Sequence, residues 1–260
     1  MTVYVLDSGI NSDHPEFTGR AVQGLPLPGS RGDADLLGHG TKVAGIIGSQ
    51  NFGVSKRVRM VSVNVIQPQG SARVSDFVYG IQWVIKQVKQ SSKWDYQPIK
   101  NVINMSARFN PSQALEQVVQ QALEASIVVV AAAGNQNGED ACKFSPGRMP
   151  EVITVGATDP TDSVADFSNV GPCVDLFSPG VNIPTTSKDE DMIIDSGTSM
   201  SAPFVSGVVA LALADGEFDY VHQVGRYISF LATKGILKGI KADSPNALLF
   251  NRISDKIKKQ

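Results

Sequence analysis

The chain has 260 residues, with 23 Lys and Arg against 25 Asp and Glu for a formal charge of −2, and 42 % of its residues are hydrophobic. That much apolar surface offsets the ordering entropy that keeps polar chains unfolded, which argues against disorder; the balanced charge, with no block of five basic residues, argues against a nucleic-acid partner held by bulk charge. The longest apolar stretches, such as Ile127 to Ala133, fall far short of the roughly 18 residues a membrane span needs, so no membrane partner is expected.

In chain order, Val3–Leu6 reads as a strand that begins at once, without the basic leader and apolar region of a secretory signal. A domain that opens with no lead-in suggests that residues are missing upstream. Val58–Ile66, Val102–Met105, Ile127–Ala132 and Val152–Val155 are further strands, apolar at nearly every position, which predicts that both faces are covered. Between them, Ser75–Gln90 carries apolar residues at helical spacing (Phe77, Ile81, Val84, Ile85, Val88). Pro111–Ala125 does the same at Leu115, Val118, Val119, Ala122 and Leu123, with Asn110 as the expected cap and Pro111 at the first helical position. Strand–helix alternation with buried strands predicts an α/β fold: a three-layer sandwich whose mostly parallel central sheet is flanked by helices on both faces. In such sheets the chemistry sits at the carboxyl ends of the strands. In the last third, Ile183–Ile194 is turn-rich and hairpin-like, Ser199–Ala214 suits a buried helix, and Tyr220–Leu231 is another helix. No repeat or linker interrupts the chain, so residues 1–260 are expected to form one domain.

Three islands carry chemistry. Asp7 stands where the apolar strand Val3–Leu6 ends; alone it would read as a turn or cap. His39, one of three histidines, lies between Gly38 and Gly40 at the start of a small-residue helix (Thr41 to Gly48), and glycines let neighbouring backbone approach closely. Ser199 stands at a tight turn (Ser196-Gly197-Thr198-Ser199-Met200) into a helix expected to begin near Met200, with Pro203 in its first turn. It could be a cap, or a nucleophile beside the free N–H groups of a helix start, where negative charge is favoured. A nucleophilic serine needs a base, and the base needs an orienting carboxylate. The chain supplies all three. Cys142 and Cys173 have no metal-type spacing and are read from composition as one bridge or two buried thiols.

The order Asp, His, Ser with these flanks resembles the subtilisin-like serine proteases, a family whose triad order is a standard illustration of convergent catalysis. His14-Pro15-Glu16-Phe17, Thr154-Val155-Gly156-Ala157, Phe167-Ser168-Asn169, Val174-Asp175-Leu176-Phe177 and Asn246-Ala247-Leu248-Leu249 extend the resemblance to the proteinase K branch. It implies a secreted serine endopeptidase acting through an Asp7-His39-Ser199 triad and an acyl-enzyme, with Asn135, at the end of the buried run Val128–Ala133, donating its amide to the oxyanion. The resemblance further implies a polypeptide substrate bound extended between Gly70-Ser71-Ala72 and Ser106-Ala107-Arg108, and a primary specificity pocket walled by Ala132, Ala133 and Gly134. Small residues there leave room for a sizeable apolar side chain. It implies a Cys142–Cys173 disulfide, a structural calcium held by Asp175 with the carbonyls of Pro150 and Val152, no organic cofactor, a monomer, and a pro-region and signal absent from this chain.

Arg108, Phe204 and Lys42 depart from the family, which usually carries glycine, histidine, and His or Cys at these places. Arg108 and the missing front segment motivate a second reading, a catalytically silent relative that binds peptides or inhibitors. A nucleotide-binding α/β module is a third, weakened by the lack of Gly-x-Gly-x-x-Gly. The Asn104-Met105-Ser106 sequon lies in a predicted buried strand and is expected to be unmodified. His14 and His222 are expected to be structural, and Lys256-Ile257-Lys258-Lys259 a solvated tail.

Overall fold

The computed structural model describes residues 1–27, 35–91, 99–216, 218–241 and 243–251; the Lys256–Lys259 tail lies outside them. The chain runs β1 (Thr2–Asp7), β2 (Ala21–Leu25), α1 (His39–Gly48), β3 (Arg59–Asn64), α2 (Val74–Ser91), β4 (Asn101–Met105), α3 (Gln113–Glu124), β5 (Ile127–Ala132), β6 (Ile153–Thr158), β7 (Leu176–Pro179), β8 (Ile183–Thr185), β9 (Ile193–Asp195), α4 (Thr198–Asp215), α5 (Val221–Leu231), β10 (Thr233–Lys234) and β11 (Ala247–Leu248). Nine strands form one sheet in the order β10-β11-β7-β6-β5-β4-β1-β3-β2, parallel throughout except for the β10–β11 pair. The antiparallel pair β8–β9 is the hairpin expected over Ile183–Ile194.

The unbroken apolar runs have a simple cause. Successive side chains of a strand point to opposite faces. Val3, Val5, Val102, Val128 and Val130 pack on one face against Val43 and Ile47 of α1, Val205 and Val209 of α4 and Val224 of α5. Tyr4, Leu6, Ile103, Ile127 and Val129 pack on the other against Phe77 and Ile81 of α2 and Leu115 and Val119 of α3. Each position therefore meets a helix layer, and each fully buried Val, Leu or Ile contributes about 1.5–3 kcal/mol relative to exposure. A helix that is apolar on every side, such as α4, fits only between the sheet and other helices.

Helix ends differ from expectation in two places. α3 starts two residues later than predicted, because Ser112, not Asn110, caps it: the Ser112 hydroxyl accepts from the Leu115 N–H at 3.4 Å. α4 starts at Thr198, so Pro203 lies inside the helix and not in its first turn. Proline has no N–H to give the carbonyl four residues back, and that carbonyl belongs to Ser199. The sequence reading contains no counterpart to β2, β7, β10 and β11, of which β2 and β10 are the two edges of the sheet.

Candidate active site

Asp7 is the last residue of β1, an interior strand paired with β3 and β4, and is fully buried. His39 is the first residue of α1. Its Nδ1 lies 2.7 Å from Asp7 Oδ1, which also accepts the Ser8 N–H at 2.8 Å. The approach of α1 to β1 depends on Gly40: a Cβ there would lie 2.0 Å from the Gly9 carbonyl oxygen, inside contact distance. Asp7 Oδ2 is buried without a hydrogen-bond partner, so one carboxylate oxygen serves two donors while the other contributes charge alone.

Burial works to lower the pKa of His39. The charge of Asp7 and the hydrogen bond to it outweigh that effect; Lys42 lowers and Asp195 raises, and the net position is above the ordinary histidine value. Lys42 and Asp195 form an ion pair at 2.7 Å. The departure at Lys42 therefore places an ion pair within electrostatic reach of His39.

Ser199 occupies the first turn of α4, where the leading N–H groups have no carbonyl ahead of them in the helix. Its hydroxyl donates to the Ser106 carbonyl at 3.1 Å, not to His39. Ser106 in turn donates its hydroxyl to the Ser199 carbonyl at 2.9 Å, filling the acceptor that Pro203 leaves empty. Asn135 Oδ1 accepts from the Thr198 N–H at 3.0 Å and the Thr198 hydroxyl at 2.7 Å. With the oxygen so engaged, the amide NH2 is turned away from Thr198, and it lies 3.2 Å from where a Cβ of Gly197 would be.

Sequence reading missed Asp35. Its buried carboxylate accepts from the Ser8 hydroxyl and the Gly38 N–H, both at 2.7 Å, and from the Thr41 N–H at 2.8 Å and hydroxyl at 2.6 Å. It thereby clasps the turn into α1 from both sides of His39. Four donors on a lone aspartate leave no signature in a sequence. Asp35 stands four positions before the first helical residue, outside the N-cap place where a capping pattern would point to it.

Gly70 and Ser71 sit in an exposed turn closed by the Gly70 N–H on Gln67 O and the Gln67 N–H on Ser71 O, with Ala72 bridged to Ile66. A Cβ at Gly70 would be 3.9 Å from the side chain of Leu37, two residues before His39. Ser106–Arg108 is joined to Ser199 by the bonds above. Gly70 thus lies near the residues that lead into His39 and Ser106 lies against Ser199, while no hydrogen bond joins Ser199 to His39 among the described residues. Ala132 and Ala133 are buried, and Ala133 N–H donates to Val155 O. The Arg108 stem reaches 3.1 Å from where a Cβ of Gly134 would be, and its guanidinium lies 4.7 Å from the Phe144 ring centre.

Cys142 and Cys173 are joined, with Cα atoms 5.2 Å apart. Among the described residues no group of three or more His, Cys, Asp or Glu side chains is placed to hold a metal. Asp175 nevertheless fits a hard cation. It faces Thr154, whose N–H donates to Oδ2 at 2.7 Å. Its other oxygen accepts no hydrogen bond among the described residues, and burial pushes its carboxyl up to about 6. Pro150 and Val152 lie two to four residues from Thr154 on the same approach to β6.

Comparison with known proteins agrees with this geometry. A model of the subtilase family matches residues 1–234. The subtilase-type proteinase psp3 of Schizosaccharomyces pombe is 41 % identical over 256 residues, covering 96 % of this chain and 55 % of that protein. Subtilisin-like protease 3 of Saccharomyces cerevisiae is 39 % identical, again over 96 % of this chain and 55 % of its own length. The crystal structure of a cold adapted subtilisin-like serine proteinase superposes with a TM-score of 0.88 at 37 % identity, covering 96 % of this chain and 88 % of that one. The chain belongs to the subtilase family. It spans just over half the length of these two fungal relatives.

Proposed function

We propose that this chain is the catalytic domain of a serine endopeptidase. The observation that carries the reading is the buried Asp7 carboxylate 2.7 Å from His39 Nδ1 at the carboxyl end of β1; Ser199 is tied to Ser106 just past the carboxyl end of β4, and Asn135 follows that of β5. Asp7 accepts a hydrogen bond from the Nδ1–H, which fixes the tautomer with a lone pair on Nε2. Rotation of the Ser199 hydroxyl away from the Ser106 carbonyl brings its proton to Nε2. The oxygen then attacks the peptide carbonyl, His39 delivers the proton to the amine as the C–N bond breaks, and a water deprotonated by His39 hydrolyses the resulting acyl-enzyme and returns the proton to Ser199. The Asn135 amide and the Ser199 N–H hold the oxyanion. Preorganised donors of this kind are usually the largest single contribution to such a step.

The substrate is a polypeptide in extended form, paired between the Gly70–Ala72 and Ser106–Arg108 rims in the manner of an added strand. Calcium at Asp175 with the Pro150 and Val152 carbonyls supplies positive charge to a carboxylate that burial otherwise disfavours, a structural role. The disulfide supports a secreted protein, since such bonds persist in oxidising compartments. A pro-region and a monomeric mature form complete the proposal by family likeness.

A fluorophosphonate probe tests the reading. The unaltered, fully matured protein is expected to be labelled once, at Ser199, and Ser199→Ala to take no label. An unlabelled but folded protein would favour the catalytically silent relative.

A further inference from the structure

The reacting carbonyl of a substrate must lie between Ser199 and the Asn135 amide. The side chain on the acyl side of the scissile bond then enters the nearest gap in the wall. β4 and β5 are paired in register up to Met105 and Ala131. Beyond that point they part: Ser106 turns to Ser199, while Ala133 pairs with Val155. The ladder between the two strands ends there, which leaves Ser106–Arg108 and Ala132–Gly134 facing each other across a gap in the pairing. Phe109 pairs with Ser145 in both directions, at 2.8 and 2.9 Å, which brings Phe144 in beside Arg108.

Arg108 sits in this gap. Its stem crosses the face of Gly134, a residue with φ +106° that has no side chain to keep it away, and its guanidinium lies over Phe144. Among the described residues no carboxylate lies within 4.0 Å of that guanidinium, and no hydrogen bond from it is made. A half-buried cation whose one partner is an aromatic face keeps most of its donors unspent. An apolar substrate side chain would have to displace or desolvate it. A carboxylate would meet a planar fork of donors matched to its own geometry.

We propose that Arg108 makes the primary specificity pocket select acidic side chains, so that cleavage follows Glu or Asp. The proposal rests on the serine endopeptidase reading for its place in the reaction, but the binding preference can be measured without turnover.

Product-like tetrapeptide acids, identical except for a terminal Glu, Gln or Phe, are titrated calorimetrically into the Ser199→Ala protein. The Glu peptide is expected to bind at least about tenfold tighter than its neutral isostere Gln, the size of one charge-assisted hydrogen bond or more. Arg108→Gln, which keeps the stem, is expected to abolish that ratio, and Arg108→Gly to raise affinity for the Phe peptide. Tightest binding of the Phe peptide, or a Glu-to-Gln ratio unmoved by Arg108→Gln, overturns the proposal. Fluorophosphonate labelling of the unaltered protein runs beside it. Label without acidic preference defeats the proposal alone; acidic preference without label defeats the peptidase reading alone.

Discussion

Ser106 and Ser199 are tied by two hydrogen bonds that run in opposite directions, hydroxyl to carbonyl each way, at 2.9 and 3.1 Å. The pair exists because Pro203 cannot donate to the Ser199 carbonyl. A helix interior proline is costly, by roughly 3 kcal/mol, yet here it frees an acceptor that fastens the candidate nucleophile to the substrate rim.

That relationship predicts coupling between positions 106 and 203. Ser106→Ala leaves the Ser199 carbonyl without this donor and should destabilise the fold by about 1–3 kcal/mol. In a Pro203→Ala background the restored N–H reaches the same carbonyl, so Ser106→Ala should cost less. Urea unfolding of the four proteins should show an interaction energy of at least about 0.5 kcal/mol. Strict additivity would mean the two sites do not share that oxygen.

Acid should silence the protein at a pH above that of an ordinary histidine. The base form of His39 is neutral, and burial, which favours that form, is outweighed by Asp7. kcat/KM should therefore fall as pH drops through an apparent value above about 6.5. Stability moves the other way. A raised folded pKa contributes stability that is full below about 6.5 and is lost as pH rises through the folded value. Asp195→Asn removes a charge that raises His39 and leaves Lys42, which lowers it, so the acid limb should move to lower pH. The Lys42–Asp195 pair is partly exposed, at 22 % and 32 %, so high salt should shrink the displacement. An acid limb that ignores Asp195 would show that the pair does not act on His39.

The Asn135 amide is aimed by Thr198, which fills Oδ1 with two donors. Asn135→Ala should lower kcat by roughly 10²–10³ with little change in KM. Thr198→Val removes one of the two bonds to Oδ1, together with the acceptor of the Gly134 N–H, and should lower kcat less than Asn135→Ala, by about tenfold or somewhat more. Single-turnover kinetics separate the two parameters. A loss confined to KM would make Asn135 a substrate-binding residue with no part in holding the oxyanion.

How legible all this was in the sequence depended on chemistry more than on length. Asp7, His39 and Ser199 stand out because unusual flanks surround reactive side chains. β1, β4 and β5 were readable because burial on both faces makes nearly every position apolar, Asn104 within β4 being an exception. β10 and β11 have two residues each, too few for any period, and exist because Leu248 adds onto Phe177 at the sheet edge. Asp35 was invisible because its four donors converge only in three dimensions. Arg108 could be recognised as a departure, but its direction is set by Gly134 and Phe144, which lie 26 and 36 residues away in the chain. The cap of α3 fell to Ser112 because its side chain can reach the Leu115 N–H.

Reduction of Cys142–Cys173 should weaken the fold without touching the reacting groups. The cysteines are 31 residues apart, and closing such a loop contributes about 3–4 kcal/mol in the chain-entropy account. The loop includes Asn169, which donates to the Ala133 carbonyl and accepts from Gln136 N–H on either side of Asn135. Replacing both cysteines by Ser should lower the thermal midpoint by roughly 10 °C for a chain of this size, while residual activity at low temperature stays within about threefold, under 1 kcal/mol. An unchanged midpoint would show that the bridge leaves the unfolded chain no more confined.

Chelation gives the sharpest test of Asp175. Its carboxylate spends one oxygen on the Thr154 N–H and keeps the other without a hydrogen bond among the described residues. Excess chelator should lower the thermal midpoint of the full-length protein, and added calcium should restore it, since a ligand that binds the folded state alone stabilises it by mass action. Asp175→Asn keeps an oxygen to accept from Thr154 but loses the charge that attracts a hard cation. The variant should fold, start from a lower midpoint in calcium, and respond to chelator hardly at all. If the unaltered protein and Asp175→Asn respond equally, the cation sits elsewhere. If neither responds, Asp175 serves only to tie β7 to the start of β6.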